Sequence, residues 1–226
     1  MKTETIDFGD GRELYIIDDS VIINTRLEIY HMCSQLPYRI GNSSRQDVQD
    51  LPDRRLKCNL TVNNPIIDYL LQEGTESHAA ITKFIPNEKY VYVRSYVNLG
   101  THSDICNIHT DKCEDSRTVL YYANIDWKSN MGGHTIFFDD NGNMKYSVEI
   151  KPGRLCIFDG RIPHTVMPMN VRTSPSYRFT VAFKFELATS HLGGEKPPNS
   201  GHGSVGSDKN KNKDIIIDYS YNKGRE

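Results

Sequence analysis

The run Tyr90-Val-Tyr-Val-Arg-Ser-Tyr-Val97 alternates, and it is rich in aromatic and β-branched side chains. That is the pattern of a half-buried strand. From about residue 88 the chain keeps to short segments of this kind, at 119–124, 135–138, 146–150, 154–158, 165–167 and 177–185. Turn signals separate them: Gly132-Gly133, Asp140-Asn-Gly142, Pro152-Gly153 and Asp159-Gly160. The first part of the chain reads differently. Ile22, Ile29, Cys33 and Leu36 recur at helical spacing until Pro37, which predicts an amphipathic helix over 19–36. Asn64-Pro65 opens a second, short helix and Gly74 lies just beyond it. Helices followed by many short strands predict an α+β domain with a jelly-roll β part. The helical part is expected at about 15–75 and the β core at about 88–187.

A chain of 226 residues is long enough for one domain with a sizeable core, here 1–190. Residues 193–213 are Gly, Pro, Ser, Asn and Lys with almost nothing apolar, so 191–226 reads as a polar tail. Within it, 214–221 could add an edge strand, dock on a partner, or fray. The polar stretch 41–55 reads as a loop and, with 100–107, as a candidate lid. A net charge of -2 without a long basic run gives no electrostatic case for nucleic acid. The sequence carries no signal-peptide pattern and no membrane-spanning run. Five cysteines without CxxC spacing suit a reducing, cytoplasmic compartment better than disulfides or zinc.

Chemistry concentrates in His109-Thr-Asp111, His164 and Arg178. Two imidazoles and one carboxylate can cover one face of an octahedral Fe(II) and leave three adjacent positions open. A permanently charged guanidinium fork on the last strand suits a carboxylate. A rival pair, His102 and Asp104, lies beside the turn residues Gly100-Thr101. The pair at 109 and 111 is preferred because Ile105 and Ile108 give the preceding segment a strand-like character. Arg172 rivals Arg178 but sits in an expected loop. His134 follows a Gly-Gly turn and is left outside the metal set, since a third imidazole would fill an open position.

With these residues the chain resembles the prolyl-4-hydroxylase-like branch of the 2-oxoglutarate/Fe(II)-dependent dioxygenases. The resemblance runs from about Tyr90 to Phe185. It is carried by Tyr96, His109-Thr-Asp111, Val119-Leu-Tyr-Tyr-Ala-Asn124 with Trp127, and Gly132-Gly-His-Thr-Ile-Phe-Phe138. It continues through Lys151-Pro-Gly-Arg-Leu-Cys-Ile-Phe158, Pro163-His164 and Arg178-Phe-Thr-Val-Ala-Phe183. It implies a distorted double-stranded β-helix, a cupin-like jelly roll, with N-terminal helices packed on the major sheet. By position it implies His109, Asp111 and His164 as iron ligands, and Arg178 and Tyr122 on the distal carboxylate of 2-oxoglutarate. Thr180 adds a hydroxyl on the same strand face, and Tyr96 lines the cavity. The implied cofactors are Fe(II), 2-oxoglutarate and O2, with ascorbate as reductant. The implied reaction hydroxylates a C–H bond, of a peptidyl residue such as proline, and releases succinate and CO2. Asp111 leaves no place for a halide ligand, which favours hydroxylation over halogenation. A hydroxylase of a free small molecule or nucleobase stays open, as does a non-catalytic metal-binding jelly roll. The chain departs from its relatives at His134, where they carry acidic or aliphatic residues, and in the longer interval between His164 and Arg178.

Overall fold

The computed structural model describes residues 1–40, 56–102, 104, 106–112, 114–173, 175 and 177–189. The expected loop at 41–55 and the tail at 191–226 lie outside the described residues. The chain opens with a hairpin, β1 (Lys2–Asp7) and β2 (Glu13–Asp18), and continues into helix α1 (Ile23–Gln35). After β3 (Arg39–Ile40) and β4 (Leu56–Leu60) come α2 (Pro65–Leu71) and α3 (Glu76–Phe84). The remaining strands are β5 (Tyr90–Gly100), β6 (Ser116–Tyr122), β7 (Thr135–Phe138) and β8 (Met144–Val148). They end with β9 (Leu155–Asp159), β10 (His164–Val166) and β11 (Arg178–Leu187).

Local chemistry explains the helix ends. The Asn64 side chain accepts from the Ile66 amide, and Pro65 takes a position where no donor is needed. Thr75 caps α3 in the same way through the amide of His78. Helix α1 begins later than the spacing predicts, because Asp19 takes a left-handed backbone (φ 59°) between β2 and the helix. The stretch expected to be helical, about 15–75, is in fact mixed, since β2 and β4 lie partly or wholly within it. In β2 the adjacent Ile16 and Ile17 are both buried, on opposite faces of the sheet, so the strand lacks a polar-apolar alternation.

Eight strands form one antiparallel sheet in the order β1-β2-β9-β6-β11-β5-β4-β3. A second sheet, β10-β7-β8, faces it. Side chains on successive strand residues point to opposite faces, and here the two faces have different neighbours. Val119, Tyr121, Leu155, Ile157, Phe179, Val181 and Phe183 join the core that holds Ile29, Cys33, Ile66, Leu70 and Ile81 of the helices. Residues of the other parity, including Tyr122, Cys156 and Phe158, face the second sheet with Phe137, Val148 and Ile150. The result is a distorted double-stranded β-helix with helices on the outer face of its larger sheet.

Candidate metal site and cavity

One end of the space between the sheets is polar. On β11 the residues of inward parity are Arg178, Thr180, Ala182 and Lys184, all buried although three of them are polar or charged. The register places them in rows across the sheet. Thr118, Lys184 and Arg94 form one row, and Leu120, Ala182 and Tyr96 form the next. Tyr122, Thr180, Asn98 and Lys57 form a third. Arg178 lies beyond them, opposite Gly100. Most of these side chains line a single cavity with His109, Asp111, His164, Thr135 and Cys106.

His109 and His164 come together through their backbones. Each amide donates to the carbonyl of the other, at 3.0 and 2.9 Å, in an isolated antiparallel bridge. The Asp111 amide donates to Gly160 at 2.8 Å. The segment before His109 is therefore not the strand expected from Ile105 and Ile108. Ile108 is 46% exposed, and Ile105 lies outside the described residues. The bridge to β10 and a hydrogen bond from the Thr165 hydroxyl to the Cys106 carbonyl hold the segment instead. The ligand-type atoms of His109, Asp111 and His164 all lie within 4.8 Å of one another, close enough to share a metal ion. His102 and Asp104 do not join them. The Asp104 carboxylate accepts from the amide and the hydroxyl of Thr101, at 2.8 Å each.

The imidazoles are oriented alike. Each Nδ1 donates to the carbonyl two residues earlier, His109 to Asn107 and His164 to Ile162, both at 2.9 Å. That fixes the tautomer and leaves both Nε2 lone pairs for a cation. Burial drives the His164 pKa down to about 4 and outweighs the pull of Asp111, so its ring is neutral near pH 7. At His109, burial favours the neutral ring, but Cys106, the Asn107 carbonyl and Asp111 together raise the pKa. Burial also works against the charge of Asp111. The charges of Lys184 and His164 and hydrogen bonds from Lys184 and Thr118 more than offset it, holding the carboxyl far below its ordinary range. Lys184 and Thr118 both meet Oδ2 of Asp111, and Thr118 does so at 2.7 Å. This donor set, two imidazoles with free Nε2 atoms and one ionised carboxylate, fits a divalent iron.

Arg178 is 5% exposed, lines the cavity, and donates from Nη2 to the Thr135 hydroxyl at 3.4 Å. Thr135 also meets the Tyr122 hydroxyl at 2.8 Å, and the Tyr122 ring lies 5.5 Å from the guanidinium carbon. Tyr122 is wholly buried and is tied to this wall through Thr135. Thr180 and Tyr96 line the cavity. Among the described residues, the Thr180 hydroxyl and the Asn98 side-chain oxygen are buried without a hydrogen-bond partner, as expected where a polar ligand completes the site. Arg172 is exposed and lies outside the cavity. His134 is partly buried beside Ser147 and is not part of the lining. Sequence reasoning missed Lys184, Thr118, Thr135, Asn98 and Arg94. For Lys184 the signal was its parity with Arg178 and Thr180 along one strand.

Residues 90–185 match the family model described as the 2OG-Fe(II) oxygenase superfamily. A sequence comparison with curated proteins finds no match. Among solved structures, the chain is similar to a prolyl-4-hydroxylase from Pseudomonas putida. Identity is 15% and the TM-score 0.58, covering 76% of this chain and 91% of the other. It is also similar to a Trichoplax adhaerens prolyl hydroxylase in complex with a hypoxia-inducible-factor oxygen degradation domain peptide fragment. There the values are 16% and 0.57, covering 81% and 87%. HygX from Streptomyces hygroscopicus, with nickel and 2-oxoglutarate bound, gives 11% and 0.55, covering 76% and 82%. At these identities the structural likeness speaks for the fold. The fold is a double-stranded β-helix, and its core, residues 90–185, matches the 2OG-Fe(II) oxygenase superfamily model. Within that class, the chain resembles the prolyl-4-hydroxylase-like branch.

Proposed function

We propose that this chain is a 2-oxoglutarate- and Fe(II)-dependent dioxygenase that hydroxylates a C–H bond and forms succinate and CO2. The observation that carries the reading is the meeting of His109, Asp111 and His164 beside the buried guanidinium of Arg178, in one cavity. His109 and His164 offer Nε2, and Asp111 offers its carboxylate. These three side chains would hold Fe(II) and would leave positions on it for 2-oxoglutarate and dioxygen. Arg178 pairs with the distal carboxylate of 2-oxoglutarate, and the Thr180 hydroxyl gains there the partner it lacks. Tyr122 acts through Thr135, keeping the Arg178 wall in place, and Tyr96 shapes the side of the cavity. Iron and 2-oxoglutarate, when bound, supply the oxidising chemistry, and the protein contributes orientation and exclusion of water. Ascorbate serves as an external reductant.

The proposed substrate is a peptidyl residue such as proline. Two of the structural neighbours named above are prolyl hydroxylases, one of them in complex with a peptide fragment. A second reading, hydroxylation of a small molecule, has support in the likeness to a HygX structure that also holds hygromycin B. Anaerobic titration with Fe(II) and 2-oxoglutarate tests the site through the weak visible charge-transfer band. The band is expected in the wild type and in His102→Ala, and lost in His109→Ala and His164→Ala. Its survival in either of the last two variants would refute the site. A proline-rich peptide that gains the mass of one oxygen atom supports the peptidyl reading. Turnover of metabolites alone would replace it with the second.

A further inference from the structure

The cavity is strongly cationic in a chain whose net charge is -2. Arg94, Lys184 and Arg178 all line it, against a single lining carboxylate, Asp111. A divalent metal and a dianionic cosubstrate cancel each other, so filling the site as proposed above leaves two positive charges over. Their positions matter more than their number. Arg178 stands at one end of β11, and Lys184 lies six residues along the same face, about 20 Å of extended chain away. The cation that serves the cosubstrate is thus separated from a second cationic end.

At that second end Arg94 and Lys184 are direct cross-strand partners, so their Cβ atoms stand about 5 Å apart on one face. Like charges placed so are destabilising unless an anion lies between or above them. Asp111 answers the charge of Lys184. Among the described residues no ion pair answers Arg94. Its side chain is exposed at the cavity wall, with the guanidinium carbon 5.9 Å from the centre of the Tyr96 ring. An exposed guanidinium at this wall can turn its fork toward an anionic group in the cavity.

We infer that the substrate carries a carboxylate close to the C–H bond that is oxidised, and that Arg94, with Lys184 beside it, recognises this group. The inference rests on the dioxygenase reading of the site and narrows its substrate class to acidic molecules. An acidic peptide and a free amino-acid carboxylate share the required chemistry. Arg94 determines specificity here, and Arg178 remains the partner of the cosubstrate.

The test uses the full chain loaded anaerobically with Fe(II) and 2-oxoglutarate, with binding read by calorimetry. Two pairs of probes differ only in charge: acetyl-Pro-Glu-amide against acetyl-Pro-Gln-amide, and N-acetylglutamate against N-acetylglutamine. In at least one pair the acid is expected to bind about tenfold tighter than its amide, the effect of one charge-assisted hydrogen-bonded pair. The responding pair shows whether the carboxylate is peptidyl or free. Arg94→Gln should bring that ratio close to one, and Arg94→Lys should keep part of it. If the charge-transfer band forms but neither pair shows a preference, or if the preference survives Arg94→Gln, the inference is wrong and the dioxygenase reading stands. If the band itself does not form, the dioxygenase reading has failed and the inference falls with it.

Discussion

Thr135 joins two side chains that reach the site from different strands. Its hydroxyl meets Tyr122 of β6 at 2.8 Å and Arg178 of β11 at 3.4 Å. Valine has nearly the same shape but cannot hold either group. Thr135→Val should cost about 1–3 kcal/mol in urea unfolding, because the buried Tyr122 hydroxyl loses its partner. It should also raise the 2-oxoglutarate dissociation constant about tenfold in the charge-transfer titration. Adding Tyr122→Phe removes the stranded hydroxyl, so it should restore most of the stability and none of the affinity. A variant with unchanged cosubstrate binding would show that Thr135 is only packing. At this scale the sequence shows which residues can meet. His109, Asp111 and His164 are legible because their chemistry is rare in that order. Lys184 is not, since a lysine near the end of a strand ordinarily reaches water. Its pairing with Asp111 depends on cross-sheet rows that no local pattern displays.

Strand β11 carries the core on one face and the cavity on the other. Phe179, Val181 and Phe183 pack against the helical layer, and Arg178, Thr180 and Lys184 face inward. The two faces should answer mutation in opposite ways. Phe183→Ala removes a fully buried ring and should cost about 3–5 kcal/mol in denaturant unfolding. Thr180→Val removes a buried hydroxyl without a partner, so stability should hold or rise while 2-oxoglutarate binds more weakly. A large loss of stability in Thr180→Val would mean that the hydroxyl is satisfied in the native protein. Most strands from β5 onward are legible within a few residues, because turns punctuate them and their faces alternate. The hairpin of β1 and β2 is not, since its first strand is polar apart from Ile6 and its second is apolar on both faces. Helix α3 announces itself only through Thr75 and a short apolar pair, Ala80-Ile81.

Across the whole molecule, ion pairs brace the larger sheet. Asp159, wholly inaccessible at the end of β9, meets Arg117 of β6 at 2.6 Å and Arg161 at 2.7 Å. Burial disfavours its charge, yet Arg161 and Arg117 hold its carboxyl below the ordinary range. The unfolded chain therefore takes up this proton first as the solution is acidified. The pair's contribution is complete above about pH 4, the unfolded value, and disappears as pH falls through the lowered native value. Asp159→Asn should cost on the order of 2 kcal/mol near pH 7, less than a fully buried pair because Arg161 is one-third exposed. Below pH 4 its stability should fall less steeply than that of the wild type in urea titrations across pH. Equal slopes would exclude the carboxylate as a source of acid sensitivity. The N-terminal hairpin has a different consequence at this scale. β2 covers the flank of β9, whose Leu155-Cys-Ile-Phe158 run is entirely buried, and β1 then presents Lys2, Thr3, Glu4 and Thr5 to water. A clipped protein without those first eighteen residues would bare a greasy, unpaired margin to its neighbours. Solubility would then be the first property to suffer, ahead of any catalysis.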